Sequence, residues 1–297
     1  MSVEPSAAFP VAIVGVGNMG AGMARRLLGL GWPVQVCDLD AAKMQSLASF
    51  GAQAHELPAQ ASINSVVVIV AVVDAAQTEL VLFGEHGIAH VMANGQTVAL
   101  CPTLSPQDVE GFARRLASMG LRMIDAPMSG GPQRALYGTM SLMVACEEAV
   151  FLRHAGLLAT LSSQVFRISE RVGDGARTKL VNNLAAGINL VGAAEVLAMA
   201  RAMGLDLATT QRVIEQSSGH SWIGSDRMRR AIDGDFAPRA HMTLLEKDTR
   251  LAVDAAQAAG FEGPLGTTAR QVFAAASASG LAGQDDGALL KWLSRGA

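Results

Sequence analysis

The sequence predicts an N-terminal α/β domain with a doubly wound parallel sheet, followed by an all-helical C-terminal domain. In the first half, short runs of β-branched residues alternate with amphipathic stretches, which is typical of βαβ units. After Gly175 this alternation stops, and long segments rich in Ala, Leu and Val follow. The chain has 297 residues, enough for two domains, and we place them at 1–168 and 169–297.

The predicted strands of the first domain are short and apolar. Val11 to Val14 is the first strand, and Ala21 to Leu30 is the helix that follows it. Val34 to Cys37 is the second strand. The nearly unbroken valine run from Val66 to Val72 indicates a strand that is covered on both faces. Further strands are predicted at 97–100, 122–125 and 141–145.

The second domain is predicted to contain helices only. The stretch from Ala176 to Met203 has no proline and ends at Gly204, which suits a helix C-cap. We therefore expect one helix of about seven turns. No strand is expected after Arg167. Further helices are predicted at 207–216, 244–259, 266–278 and 287–293.

Composition and charge argue against several classes of protein. The formal net charge is −3 and the arginines are scattered, so no basic stripe is available for nucleic acid. Cys37, Cys101 and Cys146 form no CxxC pair, which favours a reducing cytoplasm over a disulfide framework. The segment from Met1 to Pro10 lacks the features of a secretory signal, and no apolar run reaches about 20 residues. We expect a cytoplasmic protein without a membrane span.

A glycine motif, Gly15-Val16-Gly17-Asn18-Met19-Gly20, directly follows the first strand and opens the first helix. In this context the first glycine allows a tight turn, the second lets the backbone approach a pyrophosphate, and the third lets helix and strand pack closely. The free N–H groups of the helix then face the phosphates. The alternative is a glycine turn without a ligand. The motif predicts a Rossmann-type domain whose cofactor contacts include Gly15, Gly17, Asn18, Met19 and Gly20.

Asp38 ends the second strand, 18 residues after Gly20. A carboxylate at this place can accept hydrogen bonds from both hydroxyls of the adenosine ribose. It also repels a 2′-phosphate, so NAD is favoured over NADP as the cofactor. The alternative is that Asp38 only caps a turn before Asp40.

Four motifs in order make the sequence similar to the β-hydroxyacid dehydrogenase family, which includes 3-hydroxyisobutyrate dehydrogenase and tartronate semialdehyde reductase. They are 15–20, the block Asp125-Ala126-Pro127-Met128-Ser129-Gly130-Gly131, the block from Gly173-Asp174-Gly175 through Lys179 to Asn183, and Lys247-Asp248. The resemblance covers nearly the whole chain. The segments 75–79 and 221–235 resemble the L-threonate dehydrogenase branch most. A helical domain of this kind can pack against a second copy, so we expect a homodimer or homotetramer.

The resemblance implies that Ser129, Gly130 and Gly131 hold the substrate carboxylate. Residues without side chains let backbone N–H groups approach an anion closely, which agrees with this role. The alternative is a glycine loop that only turns the chain. The resemblance also implies that Thr103, on the loop 101–106, contacts the nicotinamide half of the cofactor.

Lys179 and Asn183 lie four residues apart on the long helix, so their side chains share one face. Helix lysines are usually solvated, but the neighbours here are apolar, and burial should lower the pKa of the amine toward the working pH. We predict that Lys179 takes the hydroxyl proton as hydride leaves carbon, while Asn183 orients the substrate. Lys247 is predicted to approach the nicotinamide side of a cleft between the domains. Asp248 either pairs with Lys247 or caps a helix.

Two departures from the family pattern fall on loops that the resemblance places beside the cofactor, one near the nicotinamide half and one over the adenosine-side ribose. Pro102 stands where many members carry Ser, and Val73 with Asp74 stands where a Leu-Pro pair is frequent. Arg134 and Tyr137, just past the glycines, are candidates for contacting the distal end of the substrate.

The sequence therefore predicts NAD-linked oxidation of a small hydroxy acid, such as the aldonate L-threonate. The alternatives are a tartronate semialdehyde or glyoxylate-type reductase and a 3-hydroxyisobutyrate dehydrogenase. From a different class, a non-catalytic NAD-binding sensor would need no joint presence of Lys179, Asn183 and Ser129. No metal site is expected, because His86 and His90 have no third ligand.

Overall fold

A computed structural model of the chain describes residues 8–294. These residues divide into two compact units, and the division falls between Lys179 and Leu180, inside the longest helix. The segment from Met1 to Pro10, in which no signal sequence is expected, lies mostly outside the described residues.

The first unit is a nine-stranded sheet with helices on both faces. Its strands are β1 (Val11–Val14), β2 (Val34–Cys37), β3 (Gln53–Ala54), β4 (Val67–Val70), β5 (Thr97–Leu100), β6 (Arg122–Asp125), β7 (Met128–Ser129), β8 (Ser141–Ala145) and β9 (Gln164–Ser169). Its helices are α1 (Asn18–Gly29), α2 (Ala41–Ala48), α3 (Pro58–Ser62), α4 (Ala75–Phe83), α5 (Pro106–Ser118), α6 (Gly131–Tyr137) and α7 (Glu148–Leu161).

The strand order places a ligand-binding edge. The order is β3-β2-β1-β4-β5-β6-β8-β7, with β9 paired to β8. The strands from β1 to β6 run parallel, whereas β8 runs antiparallel to β6 and β7 antiparallel to β8. The winding reverses between β1 and β4, and open sheets of this type bind ligands at the carboxyl ends of the strands beside that reversal. The predicted doubly wound fold is confirmed.

Strand residues alternate between two apolar cores, one on each face of the sheet. Val67 and Ile69 of β4 pack in one core, while Val68 and Val70 pack in the other. All four side chains are at most 1% exposed. The valine run is therefore a strand covered on both faces, as its composition predicts.

The second unit is helical. It contains α8 (Asp174–Ala202, which begins in the first unit), α9 (Leu207–Glu215), α10 (Trp222–Ile232), α11 (Met242–Ala258), α12 (Pro264–Ala276) and α13 (Leu289–Leu293). Between residues 180 and 294 there is no strand, only an isolated bridge between His241 and Asp285. The predicted all-helical domain is confirmed.

Helix α8 has 29 residues and, by length and composition alone, could cross a membrane. Leu190, Ala194 and Leu197 on it are fully buried and belong to the core of the second unit. The apolar composition is thus that of a core helix.

Several elements differ from the predictions, and three of them bear on the argument. Helix α1 begins at Asn18 rather than Ala21, because the glycine motif itself forms the first turn. Strand β9 was not among the predicted strands. It pairs with β8 and ends at Ser169, although no strand was expected after Arg167. Helix α10 was not predicted, although Ser221 at its N-cap accepts the Gly224 N–H at 3.2 Å, which is a recognisable start signal.

The burial of His154 predicts that the stability of the first unit depends on pH. Its side chain is 1% exposed, and its Nε2 lies 2.9 Å from Thr97 Oγ1. Burial, with a smaller contribution from the charge of Arg153, lowers the pKa of His154 to about 4 from the ordinary 6.5. Because the unfolded state binds the proton first, stability contributed by the neutral ring is present above about pH 6.5 and is lost as pH falls toward 4. The loss is at most about 3 kcal/mol.

We expect His154→Gln, which keeps a neutral partner for Thr97, to flatten this loss in urea unfolding measured between pH 7 and 4.5. The difference between wild type and variant is the informative quantity, because Asp125 and Asp286 act in the opposite direction. Burial raises their pKa to about 6, so they stabilise the fold at low pH and lose that effect as pH rises. The exposed His86→Gln is the control. Equal slopes for wild type and His154→Gln would contradict the prediction.

Candidate active site

The glycine motif leaves β1 at the point where the sheet reverses. Gly15 has φ +92°, and a Cβ there would lie 2.8 Å from the carbonyl carbon of Ala71, just after β4. A Cβ on Gly20 would lie 2.0 Å from the Gly15 oxygen. Gly17 has no neighbouring atom within 4 Å of its Cβ position. Gly15 and Gly20 are thus required by the fold itself, while Gly17 leaves open space for a ligand, and Asn18 and Met19 form the first turn of α1.

A further glycine, Gly22, was missed by the sequence reasoning. A Cβ on Gly22 would lie 2.9 Å from the Ala135 Cβ and 3.0 Å from the Pro132 oxygen. The glycine lets α1 pack directly on α6, the helix that follows Ser129. Helix α1 and the segment 129–131 that leads into α6, called the Ser129 loop below, are therefore neighbours within the first unit, a contact that no local pattern reveals.

Asp38 connects the glycine motif to the turn after β2. Its Oδ2 accepts the Val16 N–H at 2.7 Å, and its Oδ1 accepts the Asp40 N–H at 2.9 Å. The capping alternative is thus present in the structure. A carboxylate oxygen accepts more than one hydrogen bond, so the ribose role remains open to the same side chain. The next basic residue, Lys43, is paired with Asp40 (Nζ to Oδ2, 3.5 Å).

The Ser129 loop joins the end of β7 to the start of α6, and its two glycines have conformations that disfavour other residues. Gly130 has φ +125° and Gly131 has φ +78°. No atom lies within 4 Å of a Cβ position on Gly131, so its backbone is approachable from that side. Arg134 packs over Gly130, where a Cβ would meet the Arg134 Cδ at 2.7 Å. Tyr137 is 64% exposed at the end of α6.

The loops after β4 and β5 complete the same edge of the sheet. Thr103 is half-buried on the loop after β5, next to the buried Pro102. After β4, the Val73 N–H donates to Gln77 Oε1 at 3.1 Å, and Asp74 accepts the Gln77 N–H at 2.8 Å. The Val73-Asp74 pair therefore supplies an N-cap for α4 that a Leu-Pro pair would lack.

Asp125, the last residue of β6, is buried beside the start of α8. It is 1% exposed, and its Oδ2 accepts the N–H groups of Gly173 at 2.9 Å and Ala176 at 3.1 Å. Burial raises its pKa to about 6, against the lowering effect of the backbone N–H groups. Because β6 ends at the ligand-binding edge, this contact makes α8 start at that edge.

Lys179 and Asn183 are both buried. They are 7% and 8% exposed, so a solvated Lys179 is excluded. The expectation that the helix is largely buried here is wrong, because Val181 is 72% exposed and Ala185 is exposed as well. Lys179 follows Ala176 by about one helical turn, which places the amine close to the anchored end of α8.

Asn183 belongs to a hydrogen-bonded chain in the second unit. Its Nδ2 donates to Asp248 Oδ2 at 2.6 Å, and its Oδ1 accepts from Asn182 Nδ2 at 3.0 Å. Lys247 Nζ lies 2.9 Å from Asp248 Oδ1. Of the two roles left open for Asp248, the structure shows the ion pair with Lys247. The same carboxylate fixes the orientation of the Asn183 amide.

Two family models match the chain. Residues 10–169 match the NAD binding domain of 6-phosphogluconate dehydrogenase, and residues 173–293 match the NAD-binding domain of NADP-dependent 3-hydroxyisobutyrate dehydrogenase. A nicotinamide cofactor is therefore supported, in agreement with the open space at Gly17.

Relatives and a solved structure match over nearly the full length. An L-threonate dehydrogenase from Cupriavidus necator is 36% identical over 281 residues, which are 95% of each chain. One from Haemophilus influenzae is 34% identical over 292 residues, covering 95% of this chain and 94% of the relative. The crystal structure of a 3-hydroxyisobutyrate dehydrogenase from Salmonella typhimurium has a TM-score of 0.91 at 36% identity, covering 96% of this chain and 99% of that one.

These similarities confirm the predicted enzyme class, a nicotinamide-dependent dehydrogenase acting on a hydroxy acid. They also agree with the geometry of the first unit, where the glycine motif, Thr103, the Ser129 loop and the start of the Lys179 helix share one edge of the sheet. The chain belongs to the β-hydroxyacid dehydrogenase family and is similar over nearly its full length to L-threonate dehydrogenases.

Proposed function

We propose that the chain catalyses the reversible NAD-dependent oxidation of a small hydroxy acid, with L-threonate as the first candidate. The observation that carries this proposal is the buried Lys179, one turn into a helix that starts at the ligand-binding edge. Full-length similarity to L-threonate dehydrogenases supports the choice of acid.

Lys179 Nζ takes the hydroxyl proton of the substrate when the alcohol is oxidised and returns it in the reverse direction. A buried amine suits this role, because exclusion of water keeps the proton transfer between the two partners. Ser129 and the N–H groups of Gly130 and Gly131 bind the substrate carboxylate. That contact holds the alcohol in a fixed orientation toward the amine.

The residues at the glycine motif fit a dinucleotide. Gly17 leaves the space that a pyrophosphate needs, and Thr103 lies on a neighbouring loop of the same edge. A bound nicotinamide would supply the hydride acceptor for the carbon that bears the hydroxyl group. Asn183, whose amide is oriented by Asp248, orients the substrate through a hydrogen bond. Lys247 contacts the nicotinamide half of the cofactor.

Turnover of a panel of acids tests the proposal. The purified chain is mixed with NAD and, separately, L-threonate, D-threonate, D-glycerate and 3-hydroxyisobutyrate, and the absorbance of the reduced nicotinamide is followed. We expect kcat/KM to be at least about tenfold higher for L-threonate, equivalent to about 1.4 kcal/mol of transition-state discrimination. Preference for D-glycerate or 3-hydroxyisobutyrate would favour the alternative substrates. Binding of NAD without turnover of any acid would favour a sensor.

Asp38 is expected to determine the choice between NAD and NADP. Asp38→Asn keeps an acceptor for the Val16 N–H but removes the charge that repels a 2′-phosphate. We expect the ratio of NADP to NAD dissociation constants to fall about 10- to 100-fold, measured by calorimetric titration without substrate.

Asp40→Asn is the matched control for this change. It removes the same charge two residues further along, from the N-cap of α2, and should leave the cofactor ratio unchanged. If both variants shift the ratio equally, net charge explains the effect and the specific role of Asp38 is wrong.

The homodimer or homotetramer and the cytoplasmic location stay predictions. Exposed apolar side chains on the second unit, among them Met199, Met203, Phe261 and Leu265, support self-association.

A further inference from the structure

One carboxylate oxygen holds the beginning of α8. The N–H groups of Gly173 and Ala176 both donate to Asp125 Oδ2, at 2.9 and 3.1 Å, although Asp125 lies about 50 residues earlier in the chain. The first N–H groups of a helix have no partner inside the helix, so a buried helix start needs an acceptor from elsewhere. Asp125 supplies that acceptor at a place that is closed to solvent.

The glycines around this contact leave no room for a larger residue. A Cβ on Gly175 would lie 2.9 Å from the Asp125 Cγ and 2.7 Å from the Met143 oxygen. Gly173 has φ +98°, which other residues rarely adopt. The Gly-Asp-Gly sequence at the start of α8 is therefore shaped to bring the helix against Asp125.

The other acid at this end of the helix faces a different way. Asp174 accepts from Arg171 at 2.6 Å and from Ser169 at 2.8 Å, and it pairs with Arg177 at 3.2 Å. Its carboxylate is thus engaged by side chains. Asp125 is left as the acid that contacts the backbone of the helix start.

Asp125 also lies directly before the Ser129 loop in the sequence. Only Ala126, Pro127 and Met128 separate it from Ser129, and the first two are buried. The Ala126 N–H is held by the Leu100 oxygen of β5 at 2.9 Å, and the Met143 N–H donates to the Pro127 oxygen at 3.0 Å. A short, fixed stretch therefore joins the carboxylate that holds α8 to the serine that is proposed to bind the substrate.

We propose that Asp125 is a positioning residue, which fixes the location of Lys179 relative to the Ser129 loop by holding the first turn of α8. The assignment rests on the proposed function for its catalytic consequence. Its structural part, that Asp125 determines the environment of Lys179, stands apart from any substrate.

Two variants remove the contact in different ways. Asp125→Leu deletes the acceptor, and Gly175→Ala keeps the charge but forces the helix start away from it. Asp125→Asn is the conservative variant, because its single carbonyl oxygen can accept both N–H groups. Asp206→Leu is the matched control, since Asp206 caps α9 by accepting the Thr209 N–H at 2.8 Å and is remote in sequence from the proposed site.

The experiment combines steady-state kinetics with chemical labelling of lysines. We expect Asp125→Leu and Gly175→Ala to lower kcat about 100-fold, as a misplacement of about 1 Å can, with the KM for NAD changed less than threefold. Asp125→Asn should stay within about fivefold of wild type. Acetylation with limiting acetic anhydride, read by mass spectrometry on the folded protein, should modify Lys179 at least about threefold faster in the first two variants, with Lys43 and Lys291 as internal references.

The outcomes separate the inference from the proposed function. If wild type oxidises no hydroxy acid, the proposed function fails, yet the labelling still decides whether Asp125 holds Lys179. Unchanged relative labelling of Lys179 in both variants would overturn the inference, as would a rise shared by Lys43 and Lys291, which indicates general loosening. Should Asp125→Leu not fold, Gly175→Ala and Asp125→Asn decide the same question.

Discussion

Replacement of Lys179 by Ala is expected to lower kcat by about 1,000-fold while leaving the dissociation constant of NAD within about threefold of wild type. A positioned general base contributes typically 10²- to 10⁴-fold, and the amine is the group that we propose to receive the hydroxyl proton. Cofactor affinity should survive because the glycine motif and Asp38 lie on other elements of the first unit. Stopped-flow turnover and calorimetric titration on the same preparation measure the two quantities.

Rescue by an added amine makes this test specific. A cavity left by the lost side chain admits a small primary amine, so methylamine should restore part of the activity of Lys179→Ala in proportion to its unprotonated fraction. Lys179→Arg should stay inactive and unrescued, because a guanidinium keeps the charge but does not release its proton. Lys43→Ala, at an exposed ion pair, is the control. Retention of a tenth or more of wild-type kcat by Lys179→Ala would rule out the proposed base.

The sheet of the first unit could be predicted because its strands consist of short runs of β-branched residues. The bounds expected for β1, β2, β5, β6 and β8 match the structure, since parallel strands buried on both faces leave little choice of residue. Strand β9 was missed because Arg167 interrupts its apolar pattern and because its side chains are only partly buried. Helix α10 was missed because its Arg and Asp residues weaken the helical spacing of apolar residues. Only the N-cap at Ser221 indicates where it begins.

The members of the candidate site could be named from motifs, but their connections could not. Asp125 bonds to Gly173 and Ala176, and Asn183 to Asp248, across 48 to 65 residues of sequence. Such contacts depend on which strand ends and helix starts the topology brings together. Local patterns do not carry that information. For the same reason the packing of Gly22 against α6 became visible only in the structure.

Two glycines of the motif have different physical roles, one in packing and one in leaving space for the cofactor. Gly20→Ala is expected to destabilise the first unit even without cofactor, because its methyl group would lie 2.0 Å from the backbone oxygen of Gly15 and that backbone cannot yield cheaply. The cost of such overpacking is about 2–4 kcal/mol, which lowers the melting temperature by roughly 5–15 °C. Calorimetry of the cofactor-free chain measures it.

Gly17→Ala is expected to lower the affinity for NAD without lowering the melting temperature. Its φ is −65° and no atom lies within 4 Å of the added methyl group, so the cofactor-free protein should melt within about 2 °C of wild type. The methyl group instead occupies the space that a pyrophosphate needs, and NAD affinity should fall at least about 30-fold, or about 2 kcal/mol. If Gly17→Ala bound NAD as wild type does, the dinucleotide would have to lie elsewhere. Unaltered melting of Gly20→Ala would show that the turn after β1 is more pliable than the close approach of its two glycines implies.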